Sequence, residues 1–313
     1  MIIKDVFKKY GIYFGLIFIF IIFALLSPHF LKSRNISNIL VQSSILAIIA
    51  VGETIVILTG GIELSVGSVV AFTSLSSAYM IVEMGFPIGL GILVALFFSG
   101  IIGLINGVIV SYGRVPSFIT TLGMMSIARG GALALKSGQP ISGIPPGYEK
   151  LATTDLFGVI PIFIPYTILI YFMGFIFLEK TKGGRYIYAI GGNRDSARLS
   201  GVKVKVYETL AYVICGLLAG VGGILLTARL DYATPIAGMG YELDVIAATV
   251  IGGTSLAGGE GFIFGTLLGA VMIGTLRNGL TLLNVSSYYQ QIIIGLVIIG
   301  AVFLDQIKSL KVD

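Results

Sequence analysis

Apolar and polar positions alternate along this chain in long blocks, hydrophobic runs separated by short polar links. Residues 11–26 form the first apolar run, behind a leader carrying Lys4, Lys8 and Lys9. Further runs fall at 39–58, 66–81, 87–110, 117–135, 160–178, 206–227, 241–252, 262–276 and 288–304. Most are long enough to cross a bilayer as a helix, which takes about 20 residues. The reading is an all-α polytopic membrane protein of about ten transmembrane helices, with both termini on one side. The first run resembles a signal peptide, but it is long and no small-x-small site follows, so it is read as a spanning helix. Gly252-Gly253 and Gly258-Gly259 interrupt the eighth and ninth runs.

Composition agrees. Of 313 residues, 56% are hydrophobic and 11% charged, too few charges to coat a soluble surface. The excess of Lys and Arg reads as retention on one side of a membrane rather than nucleic-acid binding. Lys4, Lys8, Lys9, Arg114, the cations of 179–205, Lys308 and Lys311 fall on the side given to the termini. Lys32, Arg34, Lys136, Lys150 and Arg229 fall on the other. That bias places both termini in the cytoplasm. The whole chain, 1–313, is then one transmembrane domain with a cytoplasmic loop at 179–205 and a periplasmic loop at 136–160.

The 179–205 loop is the longest charged interruption, with seven basic residues against Glu179 and Asp195. Gly191-Gly192 signals a turn and Asn193 an N-cap. Arg194–Ser200 then makes a short helix, and Gly201 suits its left-handed C′ position. Ala197 and Leu199 are apolar on that helix, whereas Arg194, Asp195 and Arg198 stay wet. The loop is either a docking element for a soluble partner or an ordinary positive-inside loop.

Polar residues inside apolar runs are the other candidates, because a charge at bilayer depth is costly and needs a partner or water. Glu53, Thr54, Thr59, Glu63 and Ser65 form a candidate lining for a hydrophilic solute; Glu53 is equally a buried hydrogen-bonder, and Glu63 an interfacial one. Arg129 either pairs with Glu53 across helices or snorkels outward. Tyr241, Glu242 and Asp244 mark a periplasmic mouth or cap a helix. A faint repeat sets Gly60–Gly67 against Gly252–Gly259 and Asn106-Gly107 against Asn278-Gly279.

Several chemistries have no residues to carry them. There is no P-loop, one His (His29), and one Cys (Cys215), so no nucleotide site of that type, no His/Cys metal cluster and no catalytic triad is expected. What remains is a transport protein for a hydrophilic solute: an ion-coupled secondary transporter using Glu53, a passive channel, or a permease that a soluble partner drives through the 179–205 loop.

Longer segments narrow this. VGETIVILTGGIELSVGS (51–68), GRVPSFITTLGMMSIARGG (113–131), GGNRDSARLSGVKV (191–204), TARLDYATPIAGMGYELDVIAATVIGGTSLAGGEG (227–261) and LTLLNVSSYYQQIIIG (280–295) resemble the permease subunit of bacterial ribose-type ABC sugar importers, the ribose/galactoside/xylose group. The resemblance runs from about residue 10 to 305. It implies a bacterial cytoplasmic (inner) membrane location and a second permease copy, as a homodimer or pseudo-symmetric pair. It also implies a cytoplasmic ABC ATPase that binds ATP and Mg, and an extracytoplasmic sugar-binding protein. The chain itself would hold no cofactor, no metal and no catalytic residue, and would bind no nucleic acid. Gly192, Asn193, Arg194, Asp195, Ala197, Arg198, Leu199, Ser200 and Gly201 fall on the family's coupling helix, with Asp195-Ser196-Ala197 in place of its Glu-Ala-Ala. Glu53, Thr54, Thr59, Glu63, Ser65, Asn106 and Arg129 become the expected translocation path, and ribose the expected cargo.

Overall fold

The computed structural model describes residues 2–156, 158 and 160–309. Lys311 of the C-terminal cations, and Phe157 and Val159 of the 136–160 loop, lie outside them. The fold is mainly helical: α1 (Ile2–Leu26), α2 (Ser33–Leu58), α3 (Val66–Ala78), α4 (Ile88–Ser111), α5 (Ser117–Leu135), α6 (Lys150–Thr153), α7 (Phe163–Phe175), α8 (Lys182–Gly192), α9 (Arg194–Leu199), α10 (Val204–Leu230), α11 (Tyr241–Ile251), α12 (Ile263–Leu282) and α13 (Ser287–Ser309). Single π-helical turns extend α3 through Tyr79–Glu83 and α7 through Ile176–Lys180.

Seven of the described helices are long and apolar enough to cross a membrane: Ser33–Leu58, Val66–Glu83, Ile88–Ser111, Ser117–Leu135, Phe163–Lys180, Val204–Leu230 and Ile263–Leu282. The apolar stretches Gly11–Leu26 and Ser287–Gly300 are shorter. The expected eighth span is α11, whose 11 residues rise only about 17 Å against about 30 Å of hydrocarbon. It is short because Pro235 and the left-handed Gly238 and Gly240 precede it, while Gly252 and the left-handed Gly253 follow.

Helices α2 and α10 form the centre. From Ser43 to Leu58, α2 is buried throughout, packed on α10, α12, α7 and α11. Helix α10 packs chiefly on α4, α2 and α3. Small residues permit the close crossing of α2 and α10: a Cβ on Gly52 would lie 2.6 Å from the Cα of Cys215. Hydroxyls add interhelical bonds, Thr54 to Thr266 at 2.8 Å and Ser74 to Thr227 at 2.6 Å. Helices α4, α5 and α7 keep apolar faces outward, with Leu93, Phe97, Ile127 and Phe172 exposed on surface suited to lipid or another apolar partner.

Two small antiparallel pairings lie between helices. β1 (Ile141–Ser142) and β2 (Asp155–Leu156) fall in the α5–α7 connection, β3 (Ile160–Pro161) precedes α7, and β4 (Tyr232–Ala233) follows α10. β1 pairs with β4 in the register Ile141↔Ala233, and β2 pairs with β3. The first pairing ties the 136–160 loop to the segment leading into α11.

Candidate functional site

The charged 179–205 loop folds into two short helices joined at Asn193. Thr181 caps α8 by accepting from the Gly184 N–H at 3.1 Å, and the Asn193 side chain caps α9 by accepting from the Ser196 N–H at 2.8 Å. At the far end of α9, Gly201 takes a φ of +84°, the Val202 N–H reaches the Ala197 carbonyl (3.1 Å) and the Gly201 N–H reaches that of Arg198 (3.0 Å). That crossed pair of bonds is the Schellman arrangement, and Val202 closes it by packing with Ala197, Ile190, Val204 and Tyr207. The expected cap, helix and stop are therefore all present. Gly191-Gly192 departs from expectation: both are the last helical residues of α8, not a turn.

The reason lies beneath them. Backbone meets backbone where Gly191 and Gly192 pass Gly258 and Gly259 of the α11–α12 link and Gly60 after α2. A Cβ on Gly258 would lie 2.9 Å from the Gly60 nitrogen and 3.1 Å from the Gly191 Cα; one on Gly259 would lie 2.6 Å from the Gly192 nitrogen. The Gly259 N–H donates to the Leu58 carbonyl (3.0 Å), and the Tyr188 hydroxyl to that of Gly261 (3.0 Å). The two glycine runs that echo each other in sequence thus touch in space, one before α3 and the other after α11.

Helix α9 has two faces. Ala197 is turned inward, 5% exposed, whereas Leu199 is 84% exposed. Asp195 and Arg198 pair with each other at 3.2 Å on the outer face. Arg194 stays half exposed yet is bound: its Nε and Nη2 donate to Oε1 and Oε2 of Glu208 on α10, at 2.6 and 2.8 Å. This two-pronged bond holds the Arg194 proton more firmly than usual, raising its pKa. A cavity of about 320 Å³ borders the pair, walled also by Thr59–Gly61, Val110, Arg114–Ser117 and Tyr212.

The remaining polar residues are buried in the body. Glu53 accepts from the Glu63 N–H at 3.2 Å. Glu63 accepts from the N–H and hydroxyl of Ser65 (2.7 and 2.6 Å) and from Asn106 Nδ2 (2.7 Å), which binds the start of α3 to α4. Thr54 is used up between α2 and α12, and among these residues Thr59 alone lines the cavity. Arg129 does not pair with Glu53. Helix α5 packs mainly on α3 and α4, and Arg129 donates to the carbonyls of Pro235 and Ala237 at 2.6 and 2.9 Å. Of the expected mouth, Asp244 is held by Arg277 of α12 through bonds of 2.7 and 2.8 Å, while Glu242 accepts from the Gly240 N–H at the start of α11 (3.3 Å). These bonds tie the start of α11 and pair α11 with α12.

Sequence reasoning missed Glu208, Arg277 and Thr266. Glu208 had a usable signal, an acid near the start of an apolar run; the others become visible only with their partners. Among the described residues, no group of His, Cys, Asp and Glu could hold a metal ion.

A family model described as branched-chain amino acid transport system / permease component matches residues 35–302. The chain belongs to this permease family. It is 47% identical over 306 residues to the ribose import permease protein of Escherichia coli K12, covering 94% of this chain and 92% of that protein. Against the ribose import permease protein of Bacillus subtilis 168 the identity is 45%, covering 97% and 94%. The D-allose transport system permease protein of Escherichia coli K12 is 38% identical, covering 96% and 92%. No solved structure matches the chain at a significant level. As a permease with several apolar spans, the chain is a multi-pass membrane protein.

Proposed function

We propose that this chain is the membrane-spanning subunit of an ATP-driven importer of monosaccharides, with ribose as its cargo. The observation that carries the reading is the 43–47% identity to ribose import permeases of three bacterial species over nearly the whole of both chains. Relatives named for allose and galactose import stand further off, at 38% and 37%.

In this reading the chain sits in the bacterial cytoplasmic membrane with both termini inside, and about ten segments reach into the bilayer, α11 and the turns that lead into it forming the eighth. Two copies form the pore. A separate cytoplasmic ATPase binds ATP and Mg, and an extracytoplasmic sugar-binding protein delivers the cargo. The α8–α9 unit faces the ATPase, and the outer face of α9 (Asp195, Arg198 and Leu199) docks against it. ATP binding moves this unit, and the permease exchanges inward-open for outward-open arrangements. The glycine contacts support this role, because they leave no flexible side chain between the end of α8, the end of α2 and the α11–α12 link. Specificity rests with the binding protein, so the path needs no tight sugar site.

The test is co-purification of the chain with the ATPase encoded beside it, followed by ATP hydrolysis with ribose-loaded binding protein. A stable complex with stimulated hydrolysis is expected, lost on Leu199→Ser or Arg198→Ala. Uptake of ribose by vesicles containing this chain alone would refute the reading.

A further inference from the structure

We infer that Arg194 is an internal positioning residue that locks the docking helix to α10 through Glu208, rather than a contact for the ATPase. The inference rests on the importer reading above. Three observations carry it. Both carboxylate oxygens of Glu208 are engaged by one guanidinium, at 2.6 and 2.8 Å, a planar fork that fixes orientation as well as distance. The pair is asymmetric in burial: the Glu208 side chain is 8% exposed and that of Arg194 51%, so the arginine reaches inward from a surface helix. Finally, the other charges of α9, Asp195 and Arg198, pair with each other at 3.2 Å on its exposed face.

Apart from the fork, the small cluster of Ala197, Ile190 and Val204 is what seats α9 on the body. A six-residue helix held by so few apolar contacts can rock in its seat. The fork removes that freedom, so a push on the outer face reaches the first turns of α10. The cavity on the other side of the pair gives the joined unit space into which to swing, toward Thr59–Gly61 and the α4–α5 turn. Helix α10 runs on past Cys215 beside Glu53, into the core of the protein.

The experiment uses the full chain in complex with its ATPase and binding protein in proteoliposomes, measuring subunit retention, ATP hydrolysis and sugar imported per ATP. Arg194→Ala and Glu208→Gln should each keep the ATPase bound and hydrolysing. Sugar imported per ATP should fall about tenfold, within the roughly 5- to 150-fold spanned by coupling free energies. The exchange Arg194→Glu with Glu208→Arg should restore it. If Arg194→Ala sheds the ATPase while Glu208→Gln retains it, Arg194 is a docking contact and the inference fails. It fails equally if the ratio is unchanged in both single variants. A second measurement is independent of the importer reading: the distance distribution between spin labels at Ser196 and Val206 in the chain alone. It should be narrow in the parent and broad in Glu208→Gln; equal widths would overturn the lock even if no transport is ever observed.

Discussion

Substituting Gly258 by Ala tests the backbone contact between the α8 end and the body. Two costs combine at this position. The residue has a φ of +87°, where a Cβ costs about 1–2 kcal/mol. The new methyl would also sit 2.9–3.1 Å from atoms of Gly60 and Gly191, all of them backbone, so nothing can rotate away. Forced overpacking of this kind costs about 1–3 kcal/mol. The sum, about 2–5 kcal/mol, is separable by two neighbours. Gly253 has a φ of +93° and open space around its Cβ, so Gly253→Ala should show the strain of about 1–2 kcal/mol alone. Gly192 is helical with nothing within 4 Å, so Gly192→Ala should be neutral or slightly stabilising. At roughly 3 °C per kcal/mol, thermal unfolding in detergent should place Gly258→Ala about 6–15 °C below the parent, and Gly253→Ala about 3–6 °C below. A Gly258→Ala melting point no lower than that of Gly253→Ala would mean that the contact yields freely, and that α8 is not seated rigidly on the body. Gly192→Ala melting as low as Gly258→Ala would refute the steric argument altogether.

Removing the Asn193 cap with Ala should cost about 1 kcal/mol and speed amide exchange in α9 without altering exchange in α10; equal exchange in α9 would show the cap to be idle. Arg277→Ala leaves Asp244 buried without its cation and should destabilise the protein by about 3–5 kcal/mol, read as a loss of folded material in detergent. Retention of the full melting temperature would show that the pair contributes little. Thr54→Val removes one interhelical bond and should lower stability by about 1 kcal/mol while leaving sugar uptake intact; a large fall in uptake at unchanged stability would show that Thr54 serves the transport path.

Local signals were the readable ones. Apolar runs marked all seven of the described helices long enough to span, because crossing the hydrocarbon takes about 20 mostly apolar residues. The cap and stop of α9 were equally legible, since Asn193 and Gly201 act on backbone within a few residues of themselves. Contacts between distant segments were not. Glycine pairs read as turns by default, yet Gly191-Gly192 is helical, and the absent side chain of Gly191 makes room for the backbone of Leu58, Gly258 and Gly259. Arg129 sought the carbonyls of Pro235 and Ala237 instead of Glu53, a choice set by which helices lie beside α5. The acids in apolar runs have partners that the sequence did not name: Glu63 binds Ser65 and Asn106, and Asp244 binds Arg277. Isolated charges in apolar runs signal that a partner exists, and only the packing says which.

Helix α10 is longer than a bilayer requires. Its 27 residues extend about 40 Å, some 10 Å more than the hydrocarbon thickness. The excess must be met by tilt or by projection into the headgroup layer, each at a cost that varies with membrane thickness. Tyr207 and Glu208 lie within its first turns, and Glu208 tethers Arg194 of α9 there, so the pair sits at an end where that mismatch can be absorbed. A thinner membrane would expose more of this end, and a thicker one would draw it toward the acyl chains. The lipid itself thereby becomes a variable of the machine, and reconstitution in short- and long-chain phospholipids should give different rates from the same polypeptide.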